Sequence, residues 1–287
     1  MLDQSAVGLS TTQKFAYTWR DIILYNLSVG AQQKELEYVY EQGLKAVPAF
    51  GVIPCLATFG TKDPHGDQPL MPTSKVEGLK KEGTLHMDHK LVIHRPIPVE
   101  GELTIEKVIK NVYDRGAGKG AKIDVEIVAK DADGEAIFTN TMGYLNRYAG
   151  GFGGEKPPAS SVSIPEGEPK FVAEDGYPMN APLLYRLTGD TFPLHADPEF
   201  AKRSGFDRPI VHGLCSLGYA CRLLIGILFP GQPERLTSLE VQFRNVAMPG
   251  DRFALQIWEE AEAAALFRMV RIGDGKAILD KGRVCWA

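Results

Sequence analysis

No C-x-x-C pair occurs in the chain, and its four cysteines, Cys55, Cys215, Cys221 and Cys285, are far apart or helically spaced. That gives no disulfide framework, and buried free thiols suited to a reducing compartment are expected. A surplus of one charge is missing too. Lys and Arg number 32 against 36 Asp and Glu, for a net charge of −4 and a pI near 5.9, so there is no basic footprint and nucleic acid is not expected as a partner. Nor is there an apolar run of bilayer length, and the opening MLDQSAVGLSTTQKF lacks a basic region followed by such a run. With no peroxisomal signal visible at the C-terminus either, the expectation is a soluble, cytoplasmic chain without a membrane span. Two catalytic signatures are absent as well. No G-x-S-x-G elbow occurs, and Ser216 sits inside a stretch of helical spacing, which disfavours a Ser–His–Asp hydrolase. Gly116-Ala117-Gly118-Lys119-Gly120 has no Ser or Thr after its Lys and has strands on both sides, so it reads as a hairpin turn instead of a phosphate loop.

What is present is one plan written twice. A length of 287 residues accommodates two units of ordinary domain size. In the first half, MDHKLVIHRPI, ELTIEKVIKNVYD, AKIDVEIVAK and AIFTNTMGYLNR are rich in β-branched and aromatic residues and alternate, with turn signals at Gly116-Ala117-Gly118 and Asp133-Gly134. The second half supplies LTSLEVQFRN, RFALQIWEE, ALFRMVRIG and KAILDKGRVCW, with Asp274-Gly275 at its last turn. Pro98 with Gly101-Glu102 is echoed by Pro249 with Gly250-Asp251. Ahead of the second set of strands, 213–228 carries Leu214, Leu217, Cys221, Leu224, Ile225 and Leu228 at helical spacing, with Gly213, Gly218 and Ala220 permitting close packing. The apolar stretch at 49–60 is its expected counterpart. The class is α+β. A stretch dense in Gly, Pro and Ser separates the copies, giving boundaries of 1–149, a linker at 150–180 and 181–287.

Chemistry concentrates in TGDTFPLHADPEFAKRSGF, residues 188–206. Pro193 stands between Asp190 and His195, so no continuous helix runs through the pair and both side chains sit on irregular backbone. Asp197-Pro198-Glu199 then starts a short helix near 198–204. Further on, Pro209-Ile210-Val211-His212-Gly213-Leu214 leads into the longer helix, whose N-terminal amides are available to whatever the Asp and His act upon. A carboxylate, an imidazole and a helix N-terminus are parts for acid–base work beside an oxyanion. His86, His89 and His94 cluster in sequence, but no Cys or carboxylate follows at a recognised metal spacing, and they read as strand and bulge residues.

Gly-Asp-x-x-Pro-Leu-His, followed by Phe-Ala and then His-Gly-Leu, resembles the type 2, or MaoC-like, enoyl-CoA hydratases, and the resemblance covers nearly the whole chain. It implies a double hot-dog fold: two tandem repeats, each a long central helix wrapped by an antiparallel sheet. The implied activity is reversible hydration of a trans-2-enoyl-CoA to the (3R)-3-hydroxyacyl-CoA. Asp190 and His195 would polarise one water and the backbone N–H of Gly213 would hold the thioester oxygen, with Phe192 and His212 as substrate-binding candidates. No metal or redox cofactor is implied, coenzyme A being part of the substrate, and a homodimer is expected. The first half reads YTWRDIILYNL from Tyr17 at the matching position, keeping an Asp, Asp21, without Pro-Leu-His. One departure stands out: the family usually has Asn two residues after the Asp, and here it is Phe192. That substitution keeps two other readings open, a non-catalytic acyl-CoA-binding scaffold and a hot-dog thioesterase. Arg95, Arg147, Arg203, Arg208 and Arg244 are the candidates for holding coenzyme A phosphates.

Overall fold

Alternation of buried and exposed side chains sets the strands. In the N-terminal half these are β1 (Ser10–Tyr17), β2 (Thr84–Ile93), β3 (Gly101–Asp114), β4 (Ala121–Lys130) and β5 (Ala136–Asn146). In the C-terminal half they are β6 (Phe171–Gly176), β7 (Leu236–Phe243), β8 (Arg252–Ala261), β9 (Ala264–Arg271) and β10 (Ala277–Trp286). The structure, a computed structural model, describes residues 2–56, 71–80 and 83–287. The ten strands among the described residues form one sheet in the order β1-β3-β4-β5-β2-β7-β10-β9-β8-β6, and each of these pairings is antiparallel. The order reads the same from either edge, which is the twofold repeat of the sequence made spatial. The halves join where β2 meets β7, with Leu91 opposite Leu239 and His89 opposite Val241. The inner-face residues of both halves form a single core.

Helices lie on that inner face. The N-terminal half has α1 (Trp19–Ser28) and the single turn α2 (Leu36–Val39), and the C-terminal half has α3 (Ala181–Tyr185), α4 (Pro198–Arg203) and α5 (Gly213–Leu228). Of the 16 residues of α5, eleven are buried, as expected of a helix enclosed by its own domain. It packs on β7 and β10. Glycine lets it approach α1 closely: a Cβ on Gly218 would stand 2.3 Å from Val29 Cγ1 and 2.8 Å from the Tyr25 hydroxyl. Arg222 ties the same helix to both halves. Its guanidinium, almost wholly buried, donates to both Glu35 carboxylate oxygens at 3.0 Å, to Asp175 of β6 at 2.5 Å and to the carbonyl of Val29 at 3.1 Å. Among the described residues no helix is long and apolar enough to cross a membrane.

Two expectations need correction. The counterpart of α5 expected at 49–60 is no α-helix where it is described: Pro48–Cys55 forms a buried 3-10 run, and 57–60 lie outside the described residues. Pro54 has no N–H to give to a carbonyl one turn back, and Gly51 weakens helical propensity. The stretch 150–180 is not wholly linker, since it contains β6. As an edge strand β6 pairs only with β8, and its residues are part-wet on both faces, so no apolar alternation marks it. The remainder behaves as a covering segment, with 157–162 roofing a cavity of about 390 Å³ floored by Asp88, Lys122 and Glu240. In the β3–β4 turn, the Asp114 carboxylate accepts the N–H groups of Gly116, Gly151 and Gly153, each at 2.7 Å. An aspartate of the chain itself thus occupies that ring of amides.

Candidate active site

Backbone geometry brings Asp190 and His195 to the start of α5. Gly189 takes φ +143°, which turns the chain out of α3 and its trailing 3-10 turn. The Asp190 carboxylate accepts the N–H of Phe192 at 3.3 Å, and Pro193–His195 closes a 3-10 turn that presents the imidazole. Asp197 caps α4 as expected, accepting from Glu199 and Phe200. The ring of His195 is oriented by Ile210, whose carbonyl oxygen accepts from Nδ1 at 2.8 Å. That bond places the proton on Nδ1 and leaves the Nε2 lone pair free.

His212, the N-cap of α5, forms the floor. Its ring lies flat on that of His195, with centroids 3.6 Å apart and planes at 24°, and its other side meets Tyr185 at 4.8 Å. Its Nε2–H donates to the backbone carbonyl of Asp190 at 3.1 Å. His212 is 1 % exposed and lies beneath the His195 ring. Burial holds both imidazoles below the ordinary histidine range, and each is neutral at pH 7; for His195 the Asp190 charge opposes that fall, and for His212 the neighbouring His195 adds to it. Asp190, His195 and His212 offer ligand atoms within 4.8 Å of one another. Stacked rings direct their in-plane lone pairs along nearly parallel planes, however, so the two nitrogens do not converge on one cation.

Gly213 is the first residue of α5, and its N–H is among those for which a helix start offers no internal carbonyl. A Cβ here would meet the Phe243 ring at 3.1 Å. Phe243 contacts His86 at 4.8 Å, and His86 stacks on Tyr144 at 4.9 Å, so β2, β5 and β7 wall the region beside the helix start. Phe192 packs edge-on against Phe200 at 5.3 Å and against His195 at 6.3 Å. Arg203 stands over Phe200, while Arg95 and Arg244 are engaged by Asp131 and Asp280.

The sequence candidates thus converge in part. Asp190, His195, Gly213 and Phe192 share one site, with His212 beneath it. The other histidines scatter: His89 donates to Asn140 at 2.7 Å inside the core, His94 meets Thr139 on the surface, and a β-bulge separates His86 from Asp88. Asp21 caps α1 through Thr18. Ser216 is buried and accepts from the Tyr177 hydroxyl at 2.8 Å. The Ile210 carbonyl, Tyr185 and Phe243 escaped sequence reading, because each acts through backbone or apolar contact and carries no chemical signature.

Comparison with known proteins decides the family. Residues 15–147 match the model of the MFE-2 hydratase 2 N-terminal domain, and 162–276 match the MaoC-like domain. A probable enoyl-CoA hydratase 2 of Dictyostelium discoideum is 32% identical over 279 residues, covering 94% of this chain and 90% of that protein. The chain belongs to the MaoC-like enoyl-CoA hydratase 2 family. Among solved structures of MaoC-like proteins, a MaoC-like dehydratase from Phytophthora capsici superposes with a TM-score of 0.86 at 28% identity, covering 100% of this chain and 99% of that one. A Mycobacterium tuberculosis protein described as having a double hot-dog fold superposes with a TM-score of 0.57 at 13% identity, covering 97% and 95%, a likeness of fold alone. In this hydratase 2 family member the double hot-dog is the ten-stranded sheet with α5 on its inner face.

Proposed function

We propose that the protein adds water reversibly across the double bond of a trans-2-enoyl-CoA to give the (3R)-3-hydroxyacyl-CoA. The observation that carries this is the placing of Asp190 and the free Nε2 of His195 beside the start of α5. One water held between carboxylate and imidazole gives its hydroxyl to C3 of the substrate and a proton to C2. As the electrons move onto the thioester, the Gly213 N–H donates to its oxygen, an interaction of a kind worth about 3–4 kcal/mol where it has been removed from acyl-transfer sites. The neutral His195 accepts the proton of the water and passes it on, while Asp190 offsets the charge that forms on the ring. His212 is a positioning residue: it steadies the His195 ring from below and holds the Asp190 backbone. The thioester itself acidifies C2, so the chemistry asks for no metal or redox group.

Phe192 fills the position where the family usually has a water-orienting Asn. Its ring adds apolar bulk beside His195, which supports a preference for acyl groups that pack on it. The test is to incubate the protein with crotonyl-CoA and with a bulkier enoyl-CoA while following enoyl absorbance and free thiol together. Loss of the enoyl signal without thiol is expected. Release of thiol would make the protein a thioesterase, and no change in either signal would make it a scaffold.

A further inference from the structure

Lys107 lies midway along β3 with its side chain in the core of the N-terminal half, 1 % exposed. Its neighbours in the sheet are apolar, Ile105 and Ile109 on its own strand and Ile127 directly across on β4, all fully buried, and the buried Cys55 thiol lies near enough to interact with its charge. Among the described residues its Nζ has no hydrogen-bond partner. On its other side β1 brings Thr11 opposite, and two residues along that strand Gln13 donates from Nε2 to the Pro54 carbonyl at 3.2 Å while its buried Oε1 has no partner. Native interiors rarely leave such atoms unmatched, and each one calls for an explanation. Here a charged donor and an acceptor stand unmatched on adjacent strands of one face. Burial draws the Lys107 pKa down to about 8, which still leaves it mostly charged at neutral pH.

Lys107 shares the inner face of the sheet with the wall of the site. Lys107, Ile127 and Asn140 form one row across β3, β4 and β5, and Asn140 donates to Cys55 Sγ and to the Gly51 carbonyl, each at 3.1 Å. Tyr144, four residues further along β5, is the residue on which His86 stacks beside the start of α5. From strand geometry, the Lys107 backbone is roughly 17 Å from that of Tyr144, two strands across and four residues along. Where the C-terminal half has the 16-residue α5 on its inner face, this half has, among the described residues, the shorter α1 and the 3-10 segments Pro48–Cys55 and Pro72–Lys75.

We propose that Lys107 marks the far end of the acyl pocket and receives a carboxylate there, so that the preferred substrates are enoyl-CoA thioesters whose acyl chain ends in a second carboxyl group. The ammonium donates a charge-assisted hydrogen bond to that carboxylate, and the isoleucines around it suit the methylenes leading up to it. Gln13 Oε1 accepts from a water that donates its other proton to the same carboxylate. The proposal rests on the hydratase reading for the thioester end, and binding tests it separately from turnover. Saturated acyl-CoA esters of equal chain length, one ending in methyl and one in carboxylate, are titrated calorimetrically against the wild-type protein and Lys107→Met. The carboxyl-ended ester should bind wild type about 10-fold or more tighter than its methyl-ended partner, and Lys107→Met should abolish or invert that preference. Lys107→Arg, which keeps the charge, should retain part of it. Equal binding of the two esters by wild type, or an unchanged preference in Lys107→Met, overturns the proposal. Hydration of the methyl-ended enoyl-CoA by wild type, measured in parallel, reports on the hydratase reading alone.

Discussion

The Ile210 carbonyl holds His195 in the tautomer that leaves Nε2 available, and burial keeps the ring neutral, which suits it to the base role in the proposed reaction. In the proposed reaction Asp190 and His195 share one water, so neither replaces the other. Asp190→Asn and His195→Ala should each lower turnover by about 100-fold or more with the fold intact, the scale usual for acid–base groups. Steady-state kinetics on purified variants with unchanged circular dichroism checks this, and near-normal turnover in both would remove the pair from the mechanism. Phe192 carries a second prediction. Phe192→Asn should raise turnover of crotonyl-CoA and weaken any preference for bulky acyl groups, whereas an equal fall on both would make the ring ordinary packing against Phe200. Asp190 and His195 were legible because they lie on one short stretch of irregular backbone. The stacking of the His212 ring flat beneath His195 was not legible, since nothing in its sequence context discloses it.

At the scale of elements, α5 has two jobs: in the proposed reaction its first residue supplies an amide, and its middle fastens the halves together through Arg222. Removing that side chain leaves Glu35 and Asp175 without their shared cation in a part-buried setting. Arg222→Ala should therefore cost about 2–4 kcal/mol, somewhat below the range for fully buried pairs because both carboxylates keep some contact with water. Chemical denaturation measures it, and a loss under about 1 kcal/mol would reduce the cluster to surface-type pairs. The spacing of Leu214, Leu217, Cys221 and Leu224 made α5 readable in advance. The first-half counterpart was misread from the same apolar content, because Pro54 and Gly51 decide in favour of a 3-10 run over hydrophobicity. β6 was missed for the opposite reason, as an edge strand with little apolar alternation to detect.

For the molecule as a whole, the repeat was legible in paired turn signals such as Asp133-Gly134 and Asp274-Gly275, whereas the joining of the halves through β2 and β7 was not. That pairing depends on strand residues 146 to 154 positions apart, Val92 with Ser238 through Asp88 with Gln242, meeting edge to edge, and no local pattern encodes it. The joint core also encloses neutral histidines. His89, drawn down to about 4 by burial, and His195 and His212, both lowered, resist protonation in the folded state, while the unfolded chain takes up protons near pH 6.5. The unfolded state thus binds more protons between these limits, and stability should fall as pH drops below about 6.5, by up to about 1.4 kcal/mol per histidine per pH unit. Denaturation midpoints from pH 7.5 down to 5 test this, and a flat profile would mean that the rings are protonated where they lie.

In the proposed reaction one water, activated by Asp190 and His195, delivers both its hydroxyl and a proton to the same double bond. The most direct measurement is the configuration of the hydration product. After incubation with a trans-2-enoyl-CoA, the 3-hydroxyacyl-CoA is offered to a (3S)-specific and, separately, to a (3R)-specific dehydrogenase. The (3R)-specific enzyme should oxidise the product and the (3S)-specific enzyme should leave it untouched. Rapid oxidation by the (3S)-specific enzyme would contradict the assignment.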